Sequence, residues 1–469
     1  VPAKVYPLGE WQPDKAPSQT NTLSDARNVK PIANGYGPMP GFSGITPTLG
    51  AAFNGGGAFV GSDGNSTFLA ATSAELMKYS GAAWTNIVAL TSTKRLRLAQ
   101  FGDNVLHADG GTIGAYNLIS GATSTPTDAP TAIDIAQARD FTMAITTDNA
   151  LQWCQFNNTA VWTLGVNQAD KQPSLWGSLR AIVGGEYVIA FTERAVVRGT
   201  YIGAENDIIW RFDEISAEIG CMAQGSVCSV GKMIGFLSER GFQITDGATI
   251  KPIGDEKFNR WFFNAYSRDQ IATMWSAIDP RNSLMLWGVP GGPGKIIAYN
   301  WVLDRASILE LPFTGLFTGF TANTSLESLD ALYPSGLDSI PISLDDPSLA
   351  GGSPLLLIAD ASNAIGTLYG SAMQATFRLP NIEPVPARRA RIRSVRPVTD
   401  ATDVGVTIDA RMKTGDAENV VSCSSMRSNG KMPVRANGRY NTVQMTIPAG
   451  ATWTYAQGIE CEFEAGDGR

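Results

Sequence analysis

The stretch NSLMLWGVPGGPGKIIAYNWVLDRASILEL, residues 282–311, decides how the rest of the chain is read. Its apolar side chains alternate, as at Ile297, Tyr299 and Trp301, which is the period of a half-buried antiparallel strand. Between two such runs stands Gly291-Gly292, which supplies the positive backbone dihedrals of a tight hairpin. The same succession of short strand, polar or glycine turn, second strand and aromatic-ending strand recurs upstream. LRLAQFGDNVLHADGGTIGAYNL (96–118), FTMAITTDNALQWCQFNNTAVWTL (141–164), EYVIAFTERAVVRGTYIGAENDIIWRFDEI (186–215) and GKMIGFLSERGFQITDGATIKPIG (231–254) are copies, and GGAFVGSDGNSTFLAATSAELMKYSGAAW (56–84) is a looser one. A four-stranded unit repeated about every 35 to 45 residues is the mark of a β-propeller. The expected fold is therefore all-β, a β-propeller of six or seven blades. Identity between copies is weak, so a pair of β-sandwiches is the alternative.

The flanks differ in pattern. DEKFNRWFFNAYSRDQ (255–270) interrupts the series and reads as a short helix, with Phe258, Trp261 and Phe262 on one face. Residues 320–352 form an acidic insertion holding Glu327, Asp330, Asp338, Asp345 and Asp346, without a single Lys or Arg. From 381 to 469 the alternating runs RRARIRSV, DVGVTIDARM, YNTVQMTIPAGATW and GIECEFEA predict a smaller β-sandwich-like platform domain. In its last strand Ile459, Cys461 and Phe463 face one way, Glu460, Glu462 and Glu464 the other. At the front, residues 1–44 carry too many prolines for a helix or central strand, yet also Trp11, Val29, Ile32, Tyr36 and Phe42. These large apolar residues are the expected anchors of an extended strap that docks on the platform. The propeller is then assigned to 45–319 and 353–380.

Composition narrows the function classes. The chain has 469 residues, 43% hydrophobic and 17% charged, with 49 Gly and 26 Pro, values that suit many short strands and tight turns. Its 36 basic and 43 acidic residues give a net charge of −7, which excludes a uniformly basic nucleic-acid coat. The five cysteines, Cys154, Cys221, Cys228, Cys423 and Cys461, form no CxxC pair, so a reducing compartment is expected and neither a disulfide framework nor a metal site is. A signal-type segment and an apolar run near 20 residues are both lacking in this sequence, so no membrane span is expected.

Catalytic chemistry finds little support. The single histidine, His107, lies in a blade-like strand beside Asp109, with no nucleophile motif nearby. GGPGK (291–295) lacks the Ser/Thr and helix of a phosphate loop, and GSDGNSTF (61–68) only approximates the Asp-box turn of sialidase propellers. No catalytic residue and no cofactor is assigned, and the protein is expected not to be an enzyme. The densest charge feature is RRARIRSVR, with Arg388, Arg389, Arg391, Arg393 and Arg396. On a strand Arg389, Arg391 and Arg393 share one face, suited to a neighbouring subunit, an adaptor or phosphates, or simply to solvent.

Three segments near the amino terminus carry a family resemblance. Trp11-x-Pro13-Asp14 is followed by Ala26-x-Asn28-Val29-x-Pro31 and then Gly35-Tyr36-x-Pro38-x-Pro40. The order resembles the tail nozzle (tail hub) proteins of short-tailed bacteriophages. GGEYVIAFTERAVVRGTYIG, FDEISAEIGCMAQGSV, FLSERGFQITDG, PIGDEKFNRWFF, IDPRNSLMLWG and GRYNTVQMTIPAGATWTYAQGIE (438–460) continue it, leaving the first blade and the insertion unmatched. The resemblance implies a structural virion protein, assembled in the host cytoplasm as a homo-oligomer, a hexameric ring. Such a ring lies below the portal and the tail adaptor protein, encloses the exit channel for double-stranded DNA, helps retain the genome and supports a tail fibre or spike. On that basis the 325–346 segment is expected to line the channel, and the Arg388–Arg396 stripe to meet a subunit or the adaptor. The alternative is a carbohydrate-binding or glycan-degrading propeller.

Overall fold

A computed structural model describes residues 2–16, 22–90, 94–205, 208–291, 294–320, 336, 354–386 and 388–466. Within them the chain forms a β-propeller with a β-sandwich built against its side. Six blades run in chain order as antiparallel four-stranded sheets, with inner strands Gly55–Val60, Arg97–Phe101, Ala132–Ala138, Leu179–Val183, Cys228–Val230 and Trp275–Asp279. The seventh takes Phe313–Phe320, Pro354–Asp360 and Ala364–Ala372, and is completed by Pro40–Thr48. Residues from all seven inner strands line one axial cavity of about 550 Å³. Seven is thus the blade number among the described residues.

The repeats at 186–215, 231–254 and 282–311 cover the outer three strands of their blades, whereas those at 56–84 and 96–118 begin on the inner strand. Blade 7 corrects the assignment of Phe42 and of residues 40–44 to the strap on the platform. Phe42 pairs with Leu368 and packs, half-buried, in the propeller core. Pro40 and Pro47 are tolerated because this strand is outermost, with one side free of ladder bonds.

The platform consists of two sheets. One orders Met432–Gly438, Ala390–Thr399, Ala456–Ala465, Gly35–Pro38 and Val29–Ile32, with Ala3–Pro7 also on Ala456–Ala465. The other runs Ala375–Ile382, Tyr440–Ile447, Gly405–Arg411 and Val420–Ser422. The propeller boundary therefore falls before Ala375 and not at 380, because Ala375–Ile382 pairs with Tyr440–Ile447. This second sheet does not stop at the platform. Asp25–Arg27 pairs with Ala375–Ile382 on one side and with Arg305–Glu310 of blade 6 on the other, so one nine-stranded sheet extends from the propeller axis to the platform edge. One apolar cluster joins Trp287 of blade 6, Phe242 of blade 5, Trp11 and Tyr36 of the strap, and Phe377 and Ile459 of the platform.

The interruption between blades 5 and 6 is helical, as Asn259–Ala265 and Arg268–Ala272. The second helix starts with a capping box between Ser267 and Gln270. Phe258 and Phe262 are buried and Trp261 half-buried. Among the described residues no helix is long and apolar enough to cross a membrane.

Candidate functional site

The strap is the first candidate, because its residues carry the family resemblance. Trp11 is 1% exposed and stacks on Phe258 at 5.5 Å while meeting Trp261 edge-on at 5.2 Å. Asp14 then accepts from the backbone N–H groups of Arg260 and Trp261, both at 2.7 Å. The first helix has no cap from its own flank, so the strap supplies one. Asn28 adopts the left-handed conformation open to asparagine, with φ 57°. From there its N–H donates to Ile308 O (2.7 Å), its Oδ1 accepts from Glu310 N (2.7 Å) and its Nδ2 donates to Gln374 O (3.0 Å). One residue thereby ties blade 6 to the start of the platform.

Val29 and Tyr36 are fully buried, and Ile32 is half-buried. Tyr36 donates its hydroxyl to Gly9 O at 2.9 Å, and burial pushes its pKa up to about 12. Over its ring lies the Arg305 guanidinium, 4.9 Å from the centroid. Arg305 donates to four strap carbonyls: Ile32 O (3.1 Å), Gly35 O (3.4 Å), Leu8 O (3.3 Å) and Gly9 O (3.0 Å). Sequence reading passed over Arg305. Its only signal was a lone arginine following the aromatic strand of the repeat, a place where blades normally present solvated residues. Gly35 completes the seat, for at φ +141° a Cβ would lie 2.2 Å from Ala456 O.

The arginine stripe is the second candidate. Ala390 and Ile392 point into the sandwich while Arg389, Arg391 and Arg393 are exposed, as the alternation requires. Beside them runs the acidic file of the last strand, in register Arg391↔Glu464, Ser394↔Glu462 and Arg396↔Glu460. Arg393 pairs with Glu464 at 2.5 Å, Arg396 with Glu460 at 3.1 Å, and Lys431 with Glu462. Lys431, with a hydrogen bond from Ser394, holds the Glu462 carboxyl below the usual carboxylate range. Two of the five stripe arginines are thus neutralised within their own sheet. Arg389 donates to Asn437 Oδ1 (2.6 Å), while Arg388, Arg391 and Arg435 are exposed with no carboxylate in ion-pair range among the described residues. The surplus cations sit at the corner where Ala390–Thr399 begins and Met432–Gly438 ends.

Glu327, Asp330, Asp338, Asp345 and Asp346 lie outside the described residues. The strands that flank their segment pair directly, Phe320 with Pro354, within blade 7. His107 is buried against Gly114, whose missing Cβ makes room for the ring, and burial lowers its pKa. Its setting is that of a packing residue. Burial likewise pushes the thiols of Cys154 and Cys221 up to about 11 and those of Cys228, Cys423 and Cys461 up to about 12, the reverse of an activated nucleophile.

No protein-family model and no curated protein matches the chain. Among solved structures, the extracellular domain of a putative one component system from B. thetaiotaomicron is similar at TM-score 0.42 and 12% identity, over 88% of this chain and 47% of its own length. The chain thus spans about half of that structure. The β-propeller domain of Cps50 (Swd1) from Myceliophteria thermophila is similar over 70% of this chain and 99% of its own, at TM-score 0.41 and 9% identity. BamB from Moraxella catarrhalis is similar over 84% and 98%, at TM-score 0.36 and 9% identity. These likenesses concern the fold alone.

Proposed function

We propose that the chain is a structural subunit of the tail-nozzle type, working by assembly into a hexameric ring around the DNA exit path of a short-tailed virion. One observation carries the reading. The three motif segments that resemble nozzle proteins are the segments that fasten propeller, helix and platform into one body: Trp11 and Asp14 at the helix, Asn28 and Val29 at blade 6, Tyr36 at Arg305. A ring that withstands the pressure of packaged DNA needs such hinge-free subunits, and a sheet continuous from propeller axis to platform edge supplies one. The cationic corner at Arg388, Arg391 and Arg435 then contacts an acidic neighbour, subunit or adaptor, through charge-assisted hydrogen bonds. A net acidic subunit keeps DNA mobile in the channel, since each neutralised phosphate adds salt-sensitive affinity.

Native mass spectrometry of the purified chain, alone and with a portal or adaptor protein, tests the reading. A hexamer or a defined complex supports it, and charge reversal at Arg388 and Arg391 should shift that population toward monomer. A monomer that cleaves polysaccharide would overturn it in favour of a glycan-degrading propeller.

A further inference from the structure

The axial cavity of the propeller holds charge that neither packing nor the assembly reading uses. At about 550 Å³ it has the size of pockets that enclose small ligands. Three charged residues line it among those described: Arg95 and Arg97 at the start of blade 2, and Asp134 in blade 3. Two cations therefore face one carboxylate.

That carboxylate is already engaged. Asp134 is 4% exposed, and its oxygens accept from the backbone N–H groups of Ile135 and Ile182, each at 3.0 Å. Arg97 places Nε 3.6 Å from Asp134 Oδ1, beyond hydrogen-bond range, and donates through Nη2 to Gln224 O at 3.1 Å. Its Nε is buried with no hydrogen-bond partner. Arg95 reaches across the axis to blade 6, where its guanidinium lies 3.7 Å from the ring centroid of Trp275 and donates to Met274 O (2.7 Å) and Thr273 O (3.0 Å). Gly225 makes way for it, because a Cβ there would sit 1.9 Å from Arg95 Nη1. All of these partners of Arg95 are neutral. Burial, and next the nearby Arg97 charge, pull the pKa of Arg95 down to about 9. The cavity is thus built around a surplus positive charge that an anion would relieve.

We propose that the axial cavity binds a small anion, presenting one carboxylate, phosphate or sulfate group to Arg97 and Arg95. The planar guanidinium fork matches such oxyanions. Both arginines retain some exposure. This site is separate from the arginine corner of the platform and does not depend on the assembly reading.

Isothermal titration calorimetry of the intact chain with inorganic phosphate, sulfate and acetate, at constant ionic strength, tests the proposal. Saturable binding of one anion per chain is expected. Arg97→Gln should weaken it by about tenfold or more, as loss of a charge-assisted contact does, while Arg211→Gln, on the outermost strand of blade 4 (Ile208–Ser216) and paired with Asp213, leaves it unchanged. Absence of saturable binding for all three anions, or equal affinity in Arg97→Gln, overturns the site. Because Arg97→Gln can itself disturb folding, crystals of the unaltered chain grown in selenate give a second reading. An anomalous peak within hydrogen-bond distance of the Arg97 guanidinium supports the site, and peaks only elsewhere refute it.

Discussion

Replacing Arg305 by Met should release the strap while leaving most blades intact. The guanidinium makes four bonds to strap carbonyls, of which those to Gly9 O (3.0 Å) and Ile32 O (3.1 Å) are well formed and the other two long. A hydrogen bond from a charged donor contributes about 1.5–3 kcal/mol. Arg305 is only partly buried, so we take the low end and count the two short bonds, about 3 kcal/mol together. Arg305→Lys, with one ammonium in place of a fork, should retain about half of that. Hydrogen–deuterium exchange reads the effect locally. The amides of Leu8 and Gln12, bonded to Gln457 O and Leu23 O, should exchange on the order of 10²-fold faster in Arg305→Met, since about 1.4 kcal/mol is tenfold. Leu106 in the inner hairpin of blade 2 should keep its protection. If Leu8 and Gln12 change less than about threefold, the strap is held by its apolar anchors and the reasoning is refuted.

Further outcomes follow from the same contacts. Asp14→Ala removes the cap from Arg260 and Trp261 and should destabilise by about 1–2 kcal/mol in chemical denaturation, with Asp14→Asn recovering part. Gly35→Ala should be far more damaging than Gly50→Ala, because only the first drives a Cβ into Ala456 O; equal melting temperatures would contradict the seat described. Glu462 titrates below the usual carboxylate range in the fold, so its contribution is present above the ordinary carboxylate pKa and is lost as pH falls through the depressed value. Lys431→Gln should raise the Glu462 pKa by NMR titration and flatten that acid limb of stability, and an unchanged titration would show that Ser394 alone sets it.

The recurring short strands and glycine turns were enough to read a propeller, since both follow from local backbone geometry. The half-buried alternation expected at Ile297, Tyr299 and Trp301 does not hold: Ile296–Asn300 is buried on both faces and Trp301 lies in the turn after the strand. Local geometry also assigned the faces of Ala390 to Arg393 correctly. It could not supply register, and register decides that Glu460, Glu462 and Glu464 meet Arg396, Lys431 and Arg393, so that two of the five stripe arginines are already paired. The pairing of Pro40–Thr48 with Ala364–Ala372 was equally hidden, because no local signal names a partner so distant in the chain. Arg305 and Arg95 escaped notice for a related reason. Each binds backbone carbonyls, which every sequence offers everywhere, so nothing in composition marks the few that are met.

The strand that closes blade 7 also fixes an order of events during synthesis. Thr46 bonds Ile365, 319 residues onward, so strand Pro40–Thr48 stays unpaired until the chain through Ala372 has been made. Leu8 must wait longer still, for Gln457. Until then the amino-terminal segment is an unpaired edge beside a propeller that has six complete blades and an open seventh. Closure of the ring therefore waits on strand Ala364–Ala372, and a nascent chain halted before residue 364 would display an open seventh blade with Pro40–Thr48 still unpaired.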